Sequence, residues 1–427
     1  MEINKRITRP IFLILITAFL LRIITGIILF SGHMPFLSGC YQKGFWECGY
    51  VEFVEIATNL AEGKGFYRVD EIEGELRSAR PPLYPLILAG LYISFGKRSI
   101  PPVILQSIIG VLTVLFVYLI ARQIFSKEVG ILASILAAIY PYFVFHDTNL
   151  QETALFTLLS AVTVFFLLKT SKYRHLSDSF LAGVFLSFAV LTRTTLLLTL
   201  PFAVLWLMFV LKNNRTKMVL VMLLGFVIVS SPWLIRNVVI YGKPVFDIRS
   251  GVALWVGHNP YTLTGYPYEH IDKMTAKAWA AIPDVGKKEY SSLNEIERDR
   301  WFKQKAIQFI RENPSNVLKG AILKVYAVMG WKLSPNTGSW VKNLSYTIAY
   351  LPLLLLGVVG AFLARDKWKE LSIIYSLFFT FISISAVFLG HTNHRIYLDV
   401  YLMILAAYTI VRIKDFIKGK RFGEKPV

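Results

Sequence analysis

Acid is scarce in this 427-residue chain: 27 Asp and Glu stand against 46 Lys and Arg, a formal net charge of +19. Charged residues of both signs make up only 17% of the chain, whereas 55% is hydrophobic, and the mean hydropathy is +0.53. Such a composition excludes an ordinary soluble protein. Cysteine is nearly absent, with only Cys40 and Cys48. The pair would close a small loop in an oxidising compartment or stay as two free thiols. No P-loop appears, nor a dinucleotide-binding glycine pattern in a strand context, which argues against an ATP-driven pump and a nucleotide-sugar Rossmann enzyme. His146, His258, His391 and His394 are scattered without metal-ligand spacing on one helix, so no metal site is assigned.

The excess of positive charge raises nucleic acid as a partner, but its placement speaks for a membrane. Lys and Arg form short clusters between apolar spans: Lys5-Arg6-Arg9, Arg122-Lys127, Lys169-Lys172-Arg174, Lys212-Arg215-Lys217, Arg365-Lys367-Lys369 and the tail from Arg412 to Lys425. Spans of roughly 20 apolar residues cross a bilayer. Candidates are Pro10–Phe30, Val103–Ala121, Val129–Phe145, Thr153–Leu168, Ser179–Leu191, Thr195–Leu211, Met218–Ile235, Leu344–Leu363, Leu371–Gly390 and Tyr397–Val411. Arg193 divides the stretch Ser179–Leu211 and belongs at a hairpin tip. The basic start and apolar run at the N-terminus resemble a signal peptide, but the run is long enough to span and reads as an uncleaved anchor. With about ten crossings, both termini are cytoplasmic and every basic cluster falls inside. The expectation is a single all-α polytopic module over residues 1–427 in the cell (inner or plasma) membrane.

The opposite face then receives two long segments, 31–102 and 237–342. In the first, Tyr50–Glu62 places Phe53, Ala57 and Leu60 on one helical face, stops at Gly63, and reads as an amphipathic juxtamembrane helix. Leu83–Phe95 is too short to cross and reads as re-entrant or interfacial. In the second, Ser292-Leu293-Asn294-Glu295 has the pattern of a capping box that starts a helix to Glu312, and Asn316–Trp331 reads as juxtamembrane.

On that outer face arginines recur where apolar segments end: Arg80, Arg193, Arg236 and Arg395. An ionisable residue at the hydrocarbon edge is costly and points to function. Several together suit an anionic ligand such as a lipid phosphate. Carboxylates stand nearby, at Glu47, Glu52, Glu55, Asp147 and Glu152. A carboxylate can deprotonate an attacking hydroxyl and guanidiniums can hold a phosphate leaving group. The plainer alternatives are solvated glutamates on a helix face and arginines that snorkel to headgroups.

These residues resemble the integral-membrane GT-C glycosyltransferases that use polyprenyl-phosphate sugars, and within them the aminoarabinose transferase and protein O-mannosyltransferase branch. The resemblance runs over most of the chain: Glu52 to Phe66, Arg80-Pro81-Pro82-Leu83-Tyr84-Pro85, Glu152, Leu191-Thr192-Arg193, Pro232 to Asn237, Trp255-Val256-Gly257-His258-Asn259-Pro260, and Arg395 with Tyr397 before the last span. It implies a GT-C-like fold. It implies transfer of a monosaccharide from a polyprenyl phosphate to a lipid, glycan or protein acceptor at the outer face, with inversion and among membrane lipids. Arg80, Arg236 and Arg395 would contact the donor phosphate, with Arg193 beside them. Tyr84, Glu152, His394 and Asn259 would line the site. Relatives carry an acid in a pattern like Asp-x-x-x-Tyr, and here those positions are Gly49 and Phe53. Glu52 is the nearest substitute for the catalytic acid, with Glu47 and Glu55 behind it and Asp147 at the second acidic position. No cofactor follows from the sequence. Some of the class use a divalent cation, which stays an open option. A non-catalytic translocase of polyprenol-linked sugars, or a scaffold in a glycan-assembly complex, is the alternative that Gly49 keeps alive.

Overall fold

The computed structural model describes residues 9–30, 51–70, 74–98, 100–267, 269, 271–334 and 339–419. Cys40, Cys48, Glu47 and Gly49 lie outside them. The architecture is an all-α membrane bundle. Seven of its helices are long and apolar enough to cross a bilayer by length and composition: Arg9–Ile28, Ile100–Ile124, Thr153–Tyr173, Arg215–Tyr241, Trp340–Leu363, Arg365–Val387 and Thr392–Ile417. Shorter apolar helices cover Leu83–Phe95, Leu176–Val190 and Thr194–Val210.

Local chemistry sets the boundaries. Ser126 caps the helix Lys127–Ile139 by accepting from the Val129 amide at 3.3 Å, as N-cap hydroxyls do. The expected span Val129–Phe145 is two pieces, because Pro141 ends one helix and opens the next at Pro141–His146. Arg193 does stand at the tip between Leu176–Val190 and the turn Thr194–Leu198 that leads into Thr199–Val210. The helix Arg215–Tyr241 carries Pro232 inside it and runs past Arg236 to Gly242, whose φ of 70° ends it.

Two expectations for the outer segments need correction. The first segment holds a small hairpin, Arg68–Asp70 paired antiparallel with Gly74–Leu76, for which three-residue strands leave no period to read. The capping box lies two residues later than expected: Asn294 accepts from the Glu297 amide and Glu297 accepts from the Asn294 amide. Ser292 is still in the preceding helix, its hydroxyl donating to the Glu289 carbonyl. Glu295 is thereby freed to accept from the Arg77 and Ser78 amides at 3.0 and 3.1 Å and from the Tyr241 hydroxyl at 2.5 Å. It ties the two outer segments together. The surface helix Val51–Ala61 buries Phe53, Val54, Ile56 and Ala57 as its pattern implies, with Phe53 edge-on to Tyr84 at 5.3 Å.

Thr153–Tyr173 and Ile396–Ile417 form the centre of the bundle and are buried on nearly every side. Neighbouring helices approach closely where side chains vanish. At Gly183 a Cβ would run into the Met222 carbonyl of Arg215–Tyr241, and at Gly360 into the Leu405 carbonyl of Ile396–Ile417. Helices in lipid associate through such small-residue contacts. Charge is buried in the same tight regions. Arg22, wholly buried in the first helix, pairs with Asp147 at 2.7 Å and donates to the Ala18 and Ala138 carbonyls. Gly110 leaves the room for that pair, since a Cβ there would strike both side chains.

Gly183→Ala should therefore lose roughly 1–3 kcal/mol by overpacking. Gly90→Ala, with nothing within 4 Å of a new Cβ, should gain about 0.5–1 kcal/mol of helix propensity. Thermal unfolding of the two variants in detergent checks the contrast. Arg22→Leu should cost about 3–5 kcal/mol by stranding Asp147, and Arg22→Leu with Asp147→Leu should recover most of that loss. Unfolding of the single and double variants in the same detergent reads this directly.

Candidate active site

Arg80 is the hub of the candidate site. It sits in the bend before Pro81-Pro82, and the amide of Leu83 just after that turn donates to the Leu191 carbonyl at 2.9 Å. This bond seats the Arg80 segment on the hairpin tip that carries Arg193. Arg80 Nε donates to Glu52 Oε2 at 2.5 Å, and its guanidinium lies 5.5 Å from the Phe53 ring centre. Arg193 pairs with Glu152 through Nε at 3.2 Å and Nη2 at 2.5 Å, and covers the Phe156 ring at 4.9 Å. His394 lies within electrostatic reach of Arg193, Arg80, His391 and His146. Segments remote in sequence thus deliver cationic groups to one place, at the ends of helices.

Glu52, the expected catalytic acid, is present but committed. Arg68 approaches it at 3.6 Å beside the Arg80 bond. Burial alone would raise its pKa, but Arg80, Arg68 and Arg249 outweigh burial and hold it at about 2, down from 4.5. A carboxylate so stabilised is a weak base at neutral pH and a firm anchor for arginine. Glu55 is not at the site: its Oε1 accepts from the Val69 amide at 2.8 Å and clamps the hairpin to the surface helix. Asp147 faces inward to Arg22 rather than toward Arg80.

Two of the four expected phosphate ligands are engaged by other partners. Arg395 is wholly buried. It donates to Asp399, to the Val328 carbonyl and to the Tyr346 hydroxyl at 3.0, 2.7 and 2.7 Å, and stacks 3.6 Å from the Tyr350 ring centre. A phosphate would have to break that set, so Arg395 is a tie between helices. Arg236 donates to Ser78 Oγ and Asn237 Oδ1, both at 2.7 Å, and to the Phe66 carbonyl at 3.3 Å, over the Trp233 ring. It braces the loop behind Arg80. Asn259 is a turn cap, accepting from the Tyr261 and Thr262 amides. Tyr84 donates to Gln106 at 3.1 Å and senses the charge of Glu152, so it borders the Arg193 side of the site.

Four charged residues at or near this region were not singled out from sequence: Arg22, Arg68, Asp247 and Arg249. Arg22 carried a readable signal, being a charge in the middle of an apolar run. Arg68 begins a three-residue strand, and Asp247 and Arg249 sit in a connecting segment, so none of them has a period to read. Asp247 accepts from the Thr194 hydroxyl at 2.5 Å, next to Arg193. It lies within electrostatic reach of Arg80 and Arg249, the same two arginines that act on Glu52. Among the described residues no group of three or more His, Cys, Asp or Glu is placed to hold a metal ion.

The model of the dolichyl-phosphate-mannose-protein mannosyltransferase family matches residues 79–235. No curated protein sequence shows significant similarity to the chain. The apo oligosaccharyltransferase of Archaeoglobus fulgidus superposes with a TM-score of 0.58 at 14% identity, over 96% of this chain and 52% of that one. The same archaeon's oligosaccharyltransferase AglB, in complex with an inhibitory peptide and a dolichol-phosphate, gives 0.57 at 13% identity, over 95% and 50%. ArnT from Cupriavidus metallidurans bound to undecaprenyl phosphate gives 0.38 at 14% identity, over 87% and 75%. The chain spans about half the length of the oligosaccharyltransferases it matches. The chain shares its fold with about half of each of these oligosaccharyltransferases, and over residues 79–235 it is similar in sequence to the dolichyl-phosphate-mannose-protein mannosyltransferase family.

Proposed function

We propose that the protein is a membrane glycosyltransferase that moves one monosaccharide from a polyprenyl phosphate to an acceptor on the outer face of the cell membrane, with both termini in the cytoplasm. The observation that carries this reading is the junction of Arg80 and Arg193, each braced by its own carboxylate, at the helix ends joined by the Leu83–Leu191 backbone bond. A guanidinium already oriented by a carboxylate keeps further N–H donors in a fixed plane, the geometry that suits a phosphate oxygen. The family match covers both arginines, and AglB and ArnT were each solved with a polyprenyl-type phosphate.

In this reading Arg80 and Arg193 hold the donor phosphate and stabilise the charge that grows on it as the glycosidic C–O bond breaks. Glu52 and Glu152 position those two arginines. The acceptor attacks the anomeric carbon from the side opposite the phosphate, so configuration inverts in one displacement. The leaving phosphate is already a weak base, and no general acid is needed. The partners are the lipid-linked donor, a lipid, glycan or protein acceptor, and the surrounding membrane lipids. Nucleic acid is not among them.

Full-length protein in nanodiscs, given radiolabelled polyprenyl-phosphate mannose or polyprenyl-phosphate aminoarabinose with membrane extract as acceptor, should transfer label from one of them. Arg80→Ala and Arg193→Ala should each lower transfer about 10²-fold or more, and exposed Glu62→Gln should leave it unchanged. Donor binding without transfer or hydrolysis would favour a translocase or scaffold instead. Proton NMR of the product should show the anomeric configuration opposite to that of the donor; retention would exclude the single displacement.

A further inference from the structure

Among the described residues, the acids that the sequence offers as a base are all engaged elsewhere, Glu55 by the Val69 amide. Glu52 is held by Arg80 and Arg68, and Asp147 by Arg22. The transferase reading still needs a group to receive the acceptor's proton. Asp247 lies beyond the segment matched by the family model, in the stretch between Arg215–Tyr241 and Ser250–Gly257. The hydroxyl of Thr194, the residue after Arg193, donates to it at 2.5 Å, and it lies within electrostatic reach of Arg80 and Arg249. The residue is partly exposed, though its carboxyl group feels burial strongly.

We propose that Asp247 is the catalytic base of this protein, supplied by the second outer segment where the first has Gly49. This rests on the transferase reading above. In the step, the acceptor hydroxyl gives its proton to a carboxylate oxygen of Asp247. The electron pair left on the acceptor oxygen forms the bond to the anomeric carbon. The bond from that carbon to the phosphate oxygen breaks, and the polyprenyl phosphate leaves with that pair between Arg80 and Arg193. The contrast with Glu52 is one of partners. Glu52 has a guanidinium in contact, whereas the contact on Asp247 is a neutral hydroxyl that orients it. Burial raises the Asp247 carboxyl above the ordinary carboxylate range, aided by Asp299, and the Thr194 hydroxyl, Arg80 and Arg249 only partly pull it back. A raised pKa brings a carboxylate closer to the range in which a general base works best.

The test uses full-length protein in nanodiscs with polyprenyl-phosphate mannose and polyprenyl-phosphate aminoarabinose. It reads sugar released to water as well as sugar transferred, so no acceptor need be known. Asp247→Asn should lower turnover by roughly 10²–10⁴-fold while binding of polyprenyl phosphate is unchanged, and Asp247→Glu should restore part of the rate. Thr194→Val removes a bond that favours the ionised carboxylate, so the acid limb of its pH–rate profile should move to higher pH. Turnover that survives in Asp247→Asn but is lost in Glu152→Gln overturns the assignment and leaves the transferase reading intact. Loss of polyprenyl-phosphate binding along with turnover in Asp247→Asn also overturns it, by showing a structural role. Failure of the wild-type protein to turn over either donor removes the transferase reading for these sugars, and Asp247 as its base with it.

Discussion

Pairing between guanidinium and carboxylate governs this structure from the middle of its first helix to its candidate site. An isolated charge in a low-dielectric interior is prohibitively costly, and a partner in contact offsets much of that cost. Arg22 meets Asp147, Arg395 meets Asp399, Arg193 meets Glu152 and Arg80 meets Glu52. The first two pairs are closed to solvent; Arg22 reaches Asp147 across the bundle, and Arg395 ties helices through the Val328 carbonyl and the Tyr346 hydroxyl. The other two keep part of the guanidinium open. That difference in exposure, rather than the kind of residue, separates the arginines that brace the bundle from those able to meet a ligand.

The same principle explains how far the sequence could be read. The long apolar runs announced themselves, and so did the hairpin tip at Arg193, because a charge cannot sit at mid-membrane without a partner. The surface helix was legible from the spacing of Phe53, Ala57 and Leu60. The break at Pro141 was legible in principle, since proline opens a helix far more readily than it continues one. What could not be read was partner choice. Arg80 and Arg395 look alike in a sequence, each beside an apolar segment. Only packing reveals that Arg395 lies under Tyr346 and Tyr350 with its donors used, while Arg80 stands at a loop junction.

The candidate site shows a similar division. Arg80, Arg193, Glu52, Glu152 and His394 were all named from sequence, and the fold gathers them. Asp247 was not, because a lone acid in a nonperiodic connection gives no signal until the Thr194 hydroxyl is seen beside it. The resemblance to GT-C enzymes drew attention to the first outer segment, where the expected position of the acid falls on Gly49. The second outer segment, tied to the first through Glu295 at Arg77 and Ser78, is where the geometry offers a substitute.

The Arg22–Asp147 contact spans 125 positions of the chain. During synthesis the first helix reaches the lipid long before its counter-ion has been made. Until residue 147 is in place, that helix is a hydrophobic rod with an unanswered cation at its waist, poorly suited to remain alone in the hydrocarbon. Its final seating therefore has to wait for Ile100–Ile124 and Lys127–Ile139 to arrive beside it. Assembly of the bundle from its N-terminal end is a joint act of four segments rather than the sequential parking of independent ones.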